Sequence, residues 1–494
     1  MHGFLPLYDT RAARALDARA TALLGGDGYV LMQRAGRAAW RHLAQSWPAA
    51  RRISVVCGPG NNGGDGYVLA HLARKAGMEV KVLHLAEHVP ATPLAQRACT
   101  EYVAAGGAIG LFPQDLPQAD VVVDALFGIG LSRAPDAFAS ALIDAINAQP
   151  APVFALDVPS GVAAQFGSTP GKSIVAESTL QFIVRHAGLH TGQALEHTGA
   201  LAIDDLQVPP EAFAAASPAA SLLTADALPY WLFPRRRNTH KGESGRALCI
   251  GGEYGSGGAI VLCAEAALRS GAGLVEVATR APHVPVLLAR RPEAMAHGIE
   301  SGEDLEPLLS RAGAVGIGPG LGQGEWGQAM WRLALASGRP LVLDADALNL
   351  LAAAPRTLAD AILTPHPGEA ARLLGIDSAA VQADRFAAAA AMAARFAAVT
   401  VLKGAGSVIA APGQLPCVVH AGNPGMAVGG MGDVLTGVIV ALRAQGLAAF
   451  EAACAGALLH SLAGDAAAAQ GERGLLASDL LPQLRRLANP GELE

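Results

Sequence analysis

The chain has 494 residues, a length that suits two or three domains rather than one. Apolar residues make up 51% of the sequence and charged residues 16%, so it can fill large hydrophobic cores. The net charge is −6 and no basic block is present, which argues against nucleic acid as a partner. Every apolar run of roughly eighteen residues contains charges or clustered glycines, so no membrane span is expected.

The beginning of the chain does not resemble an export signal, because Asp9, Arg11, Arg14, Asp17 and Arg19 interrupt it and no long apolar core follows. The six cysteines are scattered, and none forms a C-x-x-C pair. We therefore expect reduced, buried thiols, a cytoplasmic location and no structural zinc site.

The first half of the chain alternates between helical and strand-like patterns. Residues 12–23 and 29–47 repeat apolar side chains at spacings of three and four, which predicts two helices. Strands are predicted at residues 53–57, 80–85, 121–124, 153–157 and 178–182. Such alternation predicts a parallel sheet with helices on both faces, in which ligands bind beyond the carboxyl ends of the strands.

A stretch rich in Pro and Ala at residues 207–234 interrupts this pattern and predicts a linker, with the domain boundary near 215–222. The alternation then restarts, and the alanine-rich stretch 386–401 predicts a packed helix that leads into a strand. Strands are predicted at residues 246–252, 273–279, 314–318, 340–344, 361–364, 400–403, 408–411 and 418–421. The sequence therefore predicts two α/β domains, residues 1–215 and 222–494.

The segment 58–66 carries five glycines between a predicted strand and a helix expected to begin at Tyr67. Glycine lets a ligand approach the backbone, and a helix start offers unpaired N–H groups to an anion. The pattern Gly58-x-Gly60-x-x-Gly63 matches a dinucleotide-binding fingerprint, which would suit an NAD-dependent oxidoreductase. That fingerprint does not require the carboxylate of Asp65, and Glu87 is the one acid near the expected ribose position.

Oxygen-bearing side chains follow the predicted strand ends of this half. Asp124 and Asp157 each end a strand, and Ser160 lies one turn further on. Together with Asn62 they form a set of hard oxygen ligands that suits an alkali or alkaline-earth cation. The alternative is that the two carboxylates cap the following turns and that Ser160 belongs only to a turn.

The second half contains a glycine-rich segment, 425–437, that runs directly into a helix. Gly429, Gly430 and Gly432 present N–H groups and a helix N-terminus to a phosphoryl group. Asp433 follows at the helix start, where a carboxylate can take a proton from an attacking hydroxyl group. The alternative is that Asp433 only caps the helix.

Three further segments of this half end predicted strands. Lys403 to Ser407 suits a nucleotide phosphate or a hairpin turn. His366 stands between two prolines that fix its backbone direction, and it is interpreted as functional or as a capping residue. Asp344 and Asp346 either approach a magnesium–nucleotide or start a helix.

Residues 1–210 resemble the NAD(P)H-hydrate epimerases, through segments 31–36, 61–66, 124–130 and 157–161. The resemblance implies a Rossmann-like fold that interconverts the R and S forms of hydrated NADH or NADPH. It implies potassium ligands at Asn62, Asp124 and Ser160, and proton transfer by Asp157. It implies substrate contacts at Asn61, Asn62, Gly63, Gly64, Asp65, Gly128, Ile129, Gly130, Leu131, Ser132, Arg133, Ala134 and Asp157.

Two positions depart from the pattern of that family. Ile129 stands where a threonine is usual, which removes a hydroxyl group. Arg185 and His186 stand where the family commonly has a lysine nearby, and we expect His186, a lone histidine, to lie at the surface.

Residues 222–494 resemble the ribokinase-like NAD(P)H-hydrate dehydratases, through segments 238–242, 251–259, 267–274, 318–322, 344–350, 364–369, 403–407 and 429–433. The resemblance implies that Ala259, Gly322, His366 and Asp433 contact the hydrated nicotinamide. It also implies an adenine-nucleotide site formed by Lys403, Gly404, Ala405, Gly406, Ser407 and Gly432.

Both halves in this order resemble the bifunctional hydrate-repair family, whose bacterial members use ADP. We therefore expect two three-layer α/β/α domains, the first Rossmann-like and the second ribokinase-like. The expected activity is epimerisation of NADH hydrate and NADPH hydrate, followed by dehydration of the S form with ADP to give AMP and phosphate. Potassium is expected at the first site and Mg²⁺ at the second.

The alternative is a ribokinase-type small-molecule kinase fused to a non-catalytic nucleotide-binding module. The sequence leaves open whether the chain forms a homo-oligomer and which of the two hydrates it prefers.

Overall fold

The computed structural model of the protein describes residues 3–114, 116–131 and 133–490. The chain divides into two compact units. Pro6–Ala220 forms the N-terminal unit, and the chain from Ser221 onward, with the residues that precede Pro6, forms the C-terminal unit. The division after Ala220 lies inside the stretch predicted as a linker.

The elements found before residue 205 alternate between strands and helices. In chain order they are β1 (Phe4–Tyr8), α1 (Thr10–Leu23), α2 (Tyr29–Ser46), β2 (Arg52–Cys57), α3 (Asn61–Lys75), β3 (Glu79–His84), α4 (Pro93–Ala104), β4 (Ile109–Leu111), β5 (Val121–Ala125), α5 (Ala137–Asn147), β6 (Val153–Leu156), β7 (Ser178–Phe182), β8 (Arg185–His186) and β9 (Ala200–Asp204).

The N-terminal unit is built on a parallel sheet with the strand order β4-β3-β2-β5-β6-β7-β9. Alternate residues of β5 face opposite sides of this sheet. Val121 and Val123 belong to a core with α1, α2, α3 and α4, whereas Val122 packs in a second core with α5. The predicted layer of helices on each face of a parallel sheet is therefore confirmed.

Helix α3 begins earlier than predicted, at Asn61 rather than at Tyr67, so the glycine loop ends at Gly60. Gly63 and Gly66 are buried residues of the helix and not part of a loop. A Cβ atom at Gly63 would lie 2.0 Å from the carbonyl oxygen of Gly58, and one at Gly66 would lie 2.7 Å from the Cβ of Ala125. These glycines let α3 pack closely onto the sheet. The sequence pattern had instead suggested that they leave room for a ligand.

The elements that follow, starting with a strand at the division between the units, continue the alternation. They are β10 (Ala220–Leu223), β11 (Arg246–Ile250), α6 (Gly257–Arg269), β12 (Leu274–Thr279), α7 (His283–Arg290), β13 (Met295–Gly298), α8 (Glu306–Arg311), β14 (Ala314–Ile317), α9 (Glu325–Ala336), β15 (Leu341–Leu343), α10 (Ala345–Ala353), β16 (Ala361–Leu363), α11 (Pro367–Leu374), α12 (Ser378–Ala383), α13 (Arg385–Phe396), β17 (Val399–Leu402), β18 (Ser407–Ala410), β19 (Cys417–Val419), α14 (Met431–Ala444), α15 (Ala449–Ala467) and α16 (Leu480–Leu487).

The sheet of the C-terminal unit has the order β13-β12-β11-β14-β15-β16-β17-β18-β19-β10. Its strands pair in parallel except around β18, which runs antiparallel to β17 and β19. Strand β10 corrects the linker prediction, because Leu222 and Leu223 are buried and the strand pairs with β19. One core packs against α6, α14, α15 and α16 and another against α9, α10, α11 and α13, which confirms the three-layer α/β/α class.

Among the described helices, the segment Ala449–Gln470 is long and apolar enough to cross a membrane by length and composition alone. The most apolar part of this helical segment is 67% buried within the protein. Leu458 and Leu459 of this segment are fully buried core residues. This burial is typical of the central helix of a packed core.

The packing of α3 predicts a strong difference between two neighbouring glycines. Gly63→Ala should destabilise the N-terminal unit by ~3 kcal/mol or more, because the new methyl group would meet backbone that cannot move aside. Gly60→Ala is the matched control, since a Cβ atom there meets nothing within 4 Å and should change stability by about 0.5 kcal/mol or less. Urea unfolding of the full chain measures both, and equal midpoints would contradict the packing.

Candidate functional sites

A cavity of ≈ 690 Å³ lies at the carboxyl ends of β2, β5 and β6 in the N-terminal unit. Many of the residues predicted as substrate contacts line it: Asn61, Asn62, Asp65, Gly128, Ile129, Gly130, Leu131, Arg133, Ala134 and Asp157. Gly63 and Gly64 are instead buried in the packing of α3. Ser132 lies outside the described residues.

Asp124 and Ser160 form a buried hydrogen-bonded pair behind the cavity lining, where Ser160 Oγ accepts from the N–H of the lining residue Phe127 at 2.8 Å. The backbone N–H of Ser160 donates to Asp124 Oδ2 at 2.7 Å, and the Ser160 hydroxyl donates to Oδ1 at 2.6 Å. Asp124 Oδ1 also accepts from the N–H of Leu126 at 3.2 Å, so the turn-capping alternative describes part of its role. Burial raises the pKa of Asp124 to about 6, although the bonds from Ser160 and Leu126 act in the opposite direction.

Asn62 supplies the third oxygen of the predicted cation site. Both polar atoms of its amide are buried, and neither has a hydrogen-bond partner among the described residues. A buried amide without partners is costly, so this geometry suits a ligand that the chain itself does not supply. A Cβ atom at Gly128 would lie 3.4 Å from the Cβ of Asn62 and 3.3 Å from Asp157 Oδ2. Glycine at this position therefore leaves free space next to both side chains.

The donor set of the N-terminal unit matches the expected type of cation. In the part of the chain that the structure describes, His, Cys, Asp and Glu side chains form no cluster of three that could hold a metal ion. Asn62, Asp124 and Ser160 offer one carboxylate and neutral oxygens, which suits a hard cation of low charge density.

His186 corrects an expectation, because it is buried with 2% exposure rather than placed at the surface. Its Nε2 atom lies 2.8 Å from Asp157 Oδ1. The side chain is brought into the cavity by strand β8, which pairs with β1 between Tyr8 and His186. No local sequence pattern signals this contact, since 29 residues separate the partners.

Helix α1 contributes a face to the cavity that sequence reasoning missed. Arg14, Asp17 and Thr21, at spacings of three and four, all line it. That spacing places polar residues on one side of a helix and could have been read from the sequence. Burial and the charge of Asp157 raise the pKa of Asp17. Burial and the charges of Asp157 and Asp17 raise the pKa of Asp65 well above its ordinary value.

In the C-terminal unit, Asp344, Lys403 and Thr436 meet beneath the glycine-rich segment. Lys403 Nζ lies 2.7 Å from Asp344 Oδ1, and the Thr436 hydroxyl donates to Asp344 Oδ2 at 3.1 Å. Gly432 lies directly above them, since a Cβ atom there would be 3.1 Å from Asp344 Oδ2 and 3.2 Å from Lys403 Nζ. Asp344 therefore anchors a lysine and does not cap the helix it precedes.

The carboxyl group of Asp433 has a pKa raised toward neutrality. Burial and the charge of Asp344 raise the pKa of Asp433 to about 7, against the opposing effect of Lys403. The capping alternative is wrong, because Asp433 is the third residue of α14 and Gly430 occupies the N-cap position with φ 93°. Burial also acts on Asp344, but Lys403 outweighs it and lowers the pKa of that carboxyl group.

The segment from Lys403 to Ser407 is the turn between antiparallel strands β17 and β18, so the hairpin alternative describes its conformation. The buried guanidinium group of Arg385 holds this turn by donating to the carbonyl oxygens of Leu402, Lys403 and Gly406 at 3.2, 3.1 and 3.5 Å. The turn is therefore rigidly mounted, with Lys403 directed toward Asp344 and Glu369.

His366 caps helix α11, since its Nδ1 atom accepts from the N–H of Gly368 at 3.0 Å. Its backbone N–H donates to Glu369 Oε2 at 2.8 Å, which completes a capping box. The capping alternative is thus correct for the Nδ1 side of the ring, while the side chain remains 56% exposed. The prolines and the cap together fix the direction of the imidazole.

The predicted nicotinamide contact Gly322 lies in the loop after β14, and Ala259 lies in the first turn of α6. The N–H of Gly322 donates to Asp346 Oδ2 at 2.9 Å, and Asn349 donates to Oδ1 of the same carboxylate at 3.3 Å. Asp346 therefore binds the backbone of a loop, whereas Asp344 binds Lys403. A Cβ atom at Gly320 would lie 3.3 Å from the Cβ of Ala259, which places the loop of Gly320 beside the start of α6.

These features define a class: an α/β protein of two parallel-sheet units, one with an oxygen-lined cavity and one with a glycine-rich helix start beside a carboxyl group of raised pKa. Comparisons with known proteins identify the family. The profile described as "YjeF-related protein N-terminus" matches residues 28–188, and the profile described as "NAD(P)H-hydrate dehydratase" matches residues 247–486.

The bifunctional NAD(P)H-hydrate repair enzyme Nnr of Escherichia coli is 45% identical over 96% of this chain and 92% of its own length. The enzyme of the same name from Coxiella burnetii is 46% identical over 98% of this chain and 99% of its own. A ribokinase-like superfamily protein of Enterococcus faecalis, 31% identical, aligns with a TM-score of 0.50 over 54% of this chain and 95% of its own. The chain belongs to the family of bifunctional NAD(P)H-hydrate repair enzymes.

The raised pKa of Asp433 predicts that ionisation of this carboxyl group lowers the stability of the folded protein. Its ionised form is disfavoured in the folded protein, so stability is lost as the pH rises from the ordinary carboxyl pKa toward about 7. Asp433→Asn should therefore stabilise the C-terminal unit by ~2 kcal/mol at pH of about 8 and by little at pH of about 4. Urea unfolding at both pH values measures this, and an Asn variant less stable at the higher pH would contradict it.

Proposed function

We propose that the protein repairs hydrated nicotinamide cofactors, with epimerisation in the N-terminal unit and nucleotide-dependent dehydration in the C-terminal unit. The observation that carries the proposal is the desolvated carboxylate of Asp433, which stands beside the Lys403–Asp344 pair at the glycine-rich helix start. Family membership over nearly the whole chain supports both activities. The same comparisons favour this function over a kinase fused to a non-catalytic module.

The dehydration step uses ADP as a phosphoryl donor. Hydroxide leaves poorly from the ring carbon next to nitrogen, whereas phosphate leaves well. Asp433 takes the proton of the substrate hydroxyl, the hydroxyl oxygen bonds to the terminal phosphorus of ADP, and AMP departs. The ring nitrogen then expels phosphate, and loss of a proton from the neighbouring carbon gives NADH or NADPH.

The proposed binding roles in this unit are those that the family resemblance implies. The rigid turn of Lys403, Gly404, Ala405, Gly406 and Ser407 and the N–H of Gly432 hold the nucleotide, while Ala259, Gly322 and His366 contact the hydrated nicotinamide. Mg²⁺ enters as the counter-ion of ADP, because Asp344 and Asp346 are already paired within the protein rather than grouped as ligands.

The epimerisation step uses Asp157 in the N-terminal cavity. Asp157 delivers a proton to the hydroxyl group, which leaves as water while the nitrogen lone pair forms a carbon–nitrogen double bond. Water then adds to the other face of the ring and returns the proton. The side chains of Asp17 and Asp65, whose pKa values are raised, add polar oxygens to the wall of this cavity.

Potassium would be held by Asn62, Asp124 and Ser160, where it would offset the buried charge of Asp124 and satisfy the Asn62 amide oxygen. We propose a cytoplasmic enzyme that acts on small-molecule substrates without nucleic acid or membrane partners.

The two activities should separate by mutation. Asp433→Asn should lower nucleotide-dependent dehydration of the S form by about 100-fold or more while epimerisation survives, because only the base of the C-terminal unit is lost. Asp157→Asn should do the reverse. Wild-type dehydration should rise with pH through about 7, since Asp433 accepts a proton only when ionised. Loss of both activities in one folded variant would contradict the assignment of one site to each unit.

A potassium-binding test is possible without substrate. In Asn62→Ala the chain loses an amide that has no partner among the described residues, so stability in a potassium-free buffer should not fall. Potassium should raise the thermal midpoint of the wild-type N-terminal unit and leave that of Asn62→Ala unchanged. A midpoint that responds equally in both proteins, measured against a choline control, would remove Asn62 from the cation site.

A further inference from the structure

His186 and Asp157 meet inside the N-terminal cavity from two separately anchored pieces of backbone. The N–H of Asp157 donates to the carbonyl of Leu180 at 2.8 Å, at a positive φ of 65°. The N–H of His186 donates to the buried side chain of Gln181 at 2.7 Å, just after Ile183, which also has φ 65°. A positive φ costs energy in residues other than glycine, so the fold holds both segments in place against local strain.

The contact between the two side chains fixes one oxygen of the carboxyl group. His186 Nε2 and Asp157 Oδ1 lie 2.8 Å apart, and Oδ1 receives a weaker bond from the N–H of Phe182 at 3.5 Å. Oδ2 lies on the side of Gly128, since a Cβ atom there would be 3.3 Å away. Gly128 lines the cavity, so the histidine binds the inner oxygen and the outer oxygen faces the space for substrate.

The other ring nitrogen indicates which form of the imidazole is present. His186 Nδ1 is buried and has no hydrogen-bond partner among the described residues. A charged imidazole would carry a hydrogen at Nδ1 with no acceptor in reach, whereas a neutral ring with its hydrogen on Nε2 leaves only a weak acceptor unsatisfied.

We propose that His186 is a positioning residue for epimerisation: its neutral ring donates Nε2–H to Asp157 and directs the free carboxyl oxygen toward the substrate. This inference rests on the proposed function of the N-terminal cavity. It assigns to His186 no proton transfer of its own. A displaced carboxyl group costs rate rather than affinity, because the reacting atoms must approach closely while the dinucleotide is held by many other contacts.

Two substitutions distinguish positioning from proton transfer. Glutamine can donate one N–H in place of Nε2–H but cannot carry a proton, whereas phenylalanine fills the space without a donor. His186→Phe should lower the kcat of epimerisation by about 100-fold with KM within about threefold of wild type. His186→Gln should retain kcat within about tenfold of wild type. Dehydration of the S form should be unchanged in both, and a wild-type KM for epimerisation shows that the N-terminal unit is folded.

A matched control is His197→Gln, since His197 lies in the same unit and its ring binds the carbonyl oxygen of Ile174. This control should match wild type in kcat and KM. A Gln variant as slow as the Phe variant would overturn the proposal, because the ring would then act by carrying a proton. A Phe variant with wild-type kcat would overturn it as well.

A spectroscopic test does not depend on turnover and so separates this inference from the proposed function. In the full chain with ¹⁵N-labelled histidine, one of the 14 histidines should show a protected, downfield Nε2–H with a bare Nδ1. The signal should vanish in His186→Gln, persist in His197→Gln and shift in Asp157→Asn. A signal from His186 with hydrogens on both nitrogens would contradict the neutral ring. An inactive wild-type enzyme that still shows the signal would count against the proposed function alone.

Discussion

Burial of carboxylates is the constraint on which both units depend. Parallel sheets bring side chains together at the carboxyl ends of their strands, and there the fold removes water from Asp124 and Asp344. A desolvated carboxylate must be paired, hydrogen-bonded or protonated. The protein uses each solution: Asp344 is paired with Lys403, Asp124 is bound by Ser160, and Asp433 keeps a raised pKa.

The two units therefore solve one physical problem for different purposes. In the C-terminal unit the lysine pairs with the carboxylate beneath the glycine segment, and burial raises the pKa of the neighbouring Asp433 to about 7. In the N-terminal unit Asp124 is bound by Ser160 instead of a lysine, and the amide of Asn62, which lines the cavity, has no hydrogen-bond partner among the described residues. The first arrangement suits phosphoryl transfer, and the second suits a bound cation beside a proton-transferring acid.

Most strands and the class of both domains were predictable, because buried parallel strands appear in the sequence as short apolar runs. The start of α3 was not, since glycines at 63 and 66 look like a loop until their contacts with Gly58 and Ala125 are known. Strand β10 was hidden for a similar reason: its pairing with β19 depends on residues about 200 positions away. Likewise the pairing of His186 with Asp157 is a tertiary contact that local pattern does not encode.

One measurement tests the central claim that two sites in one chain repair both forms of the damaged cofactor. The wild-type protein is mixed with equal amounts of the R and S hydrates, potassium, magnesium and ADP, and reduced-nicotinamide absorbance and released phosphate are followed together. The account predicts complete recovery of the absorbance with one phosphate released for each nicotinamide restored. Recovery that stops when the S form is consumed, or that proceeds without phosphate release, would contradict it.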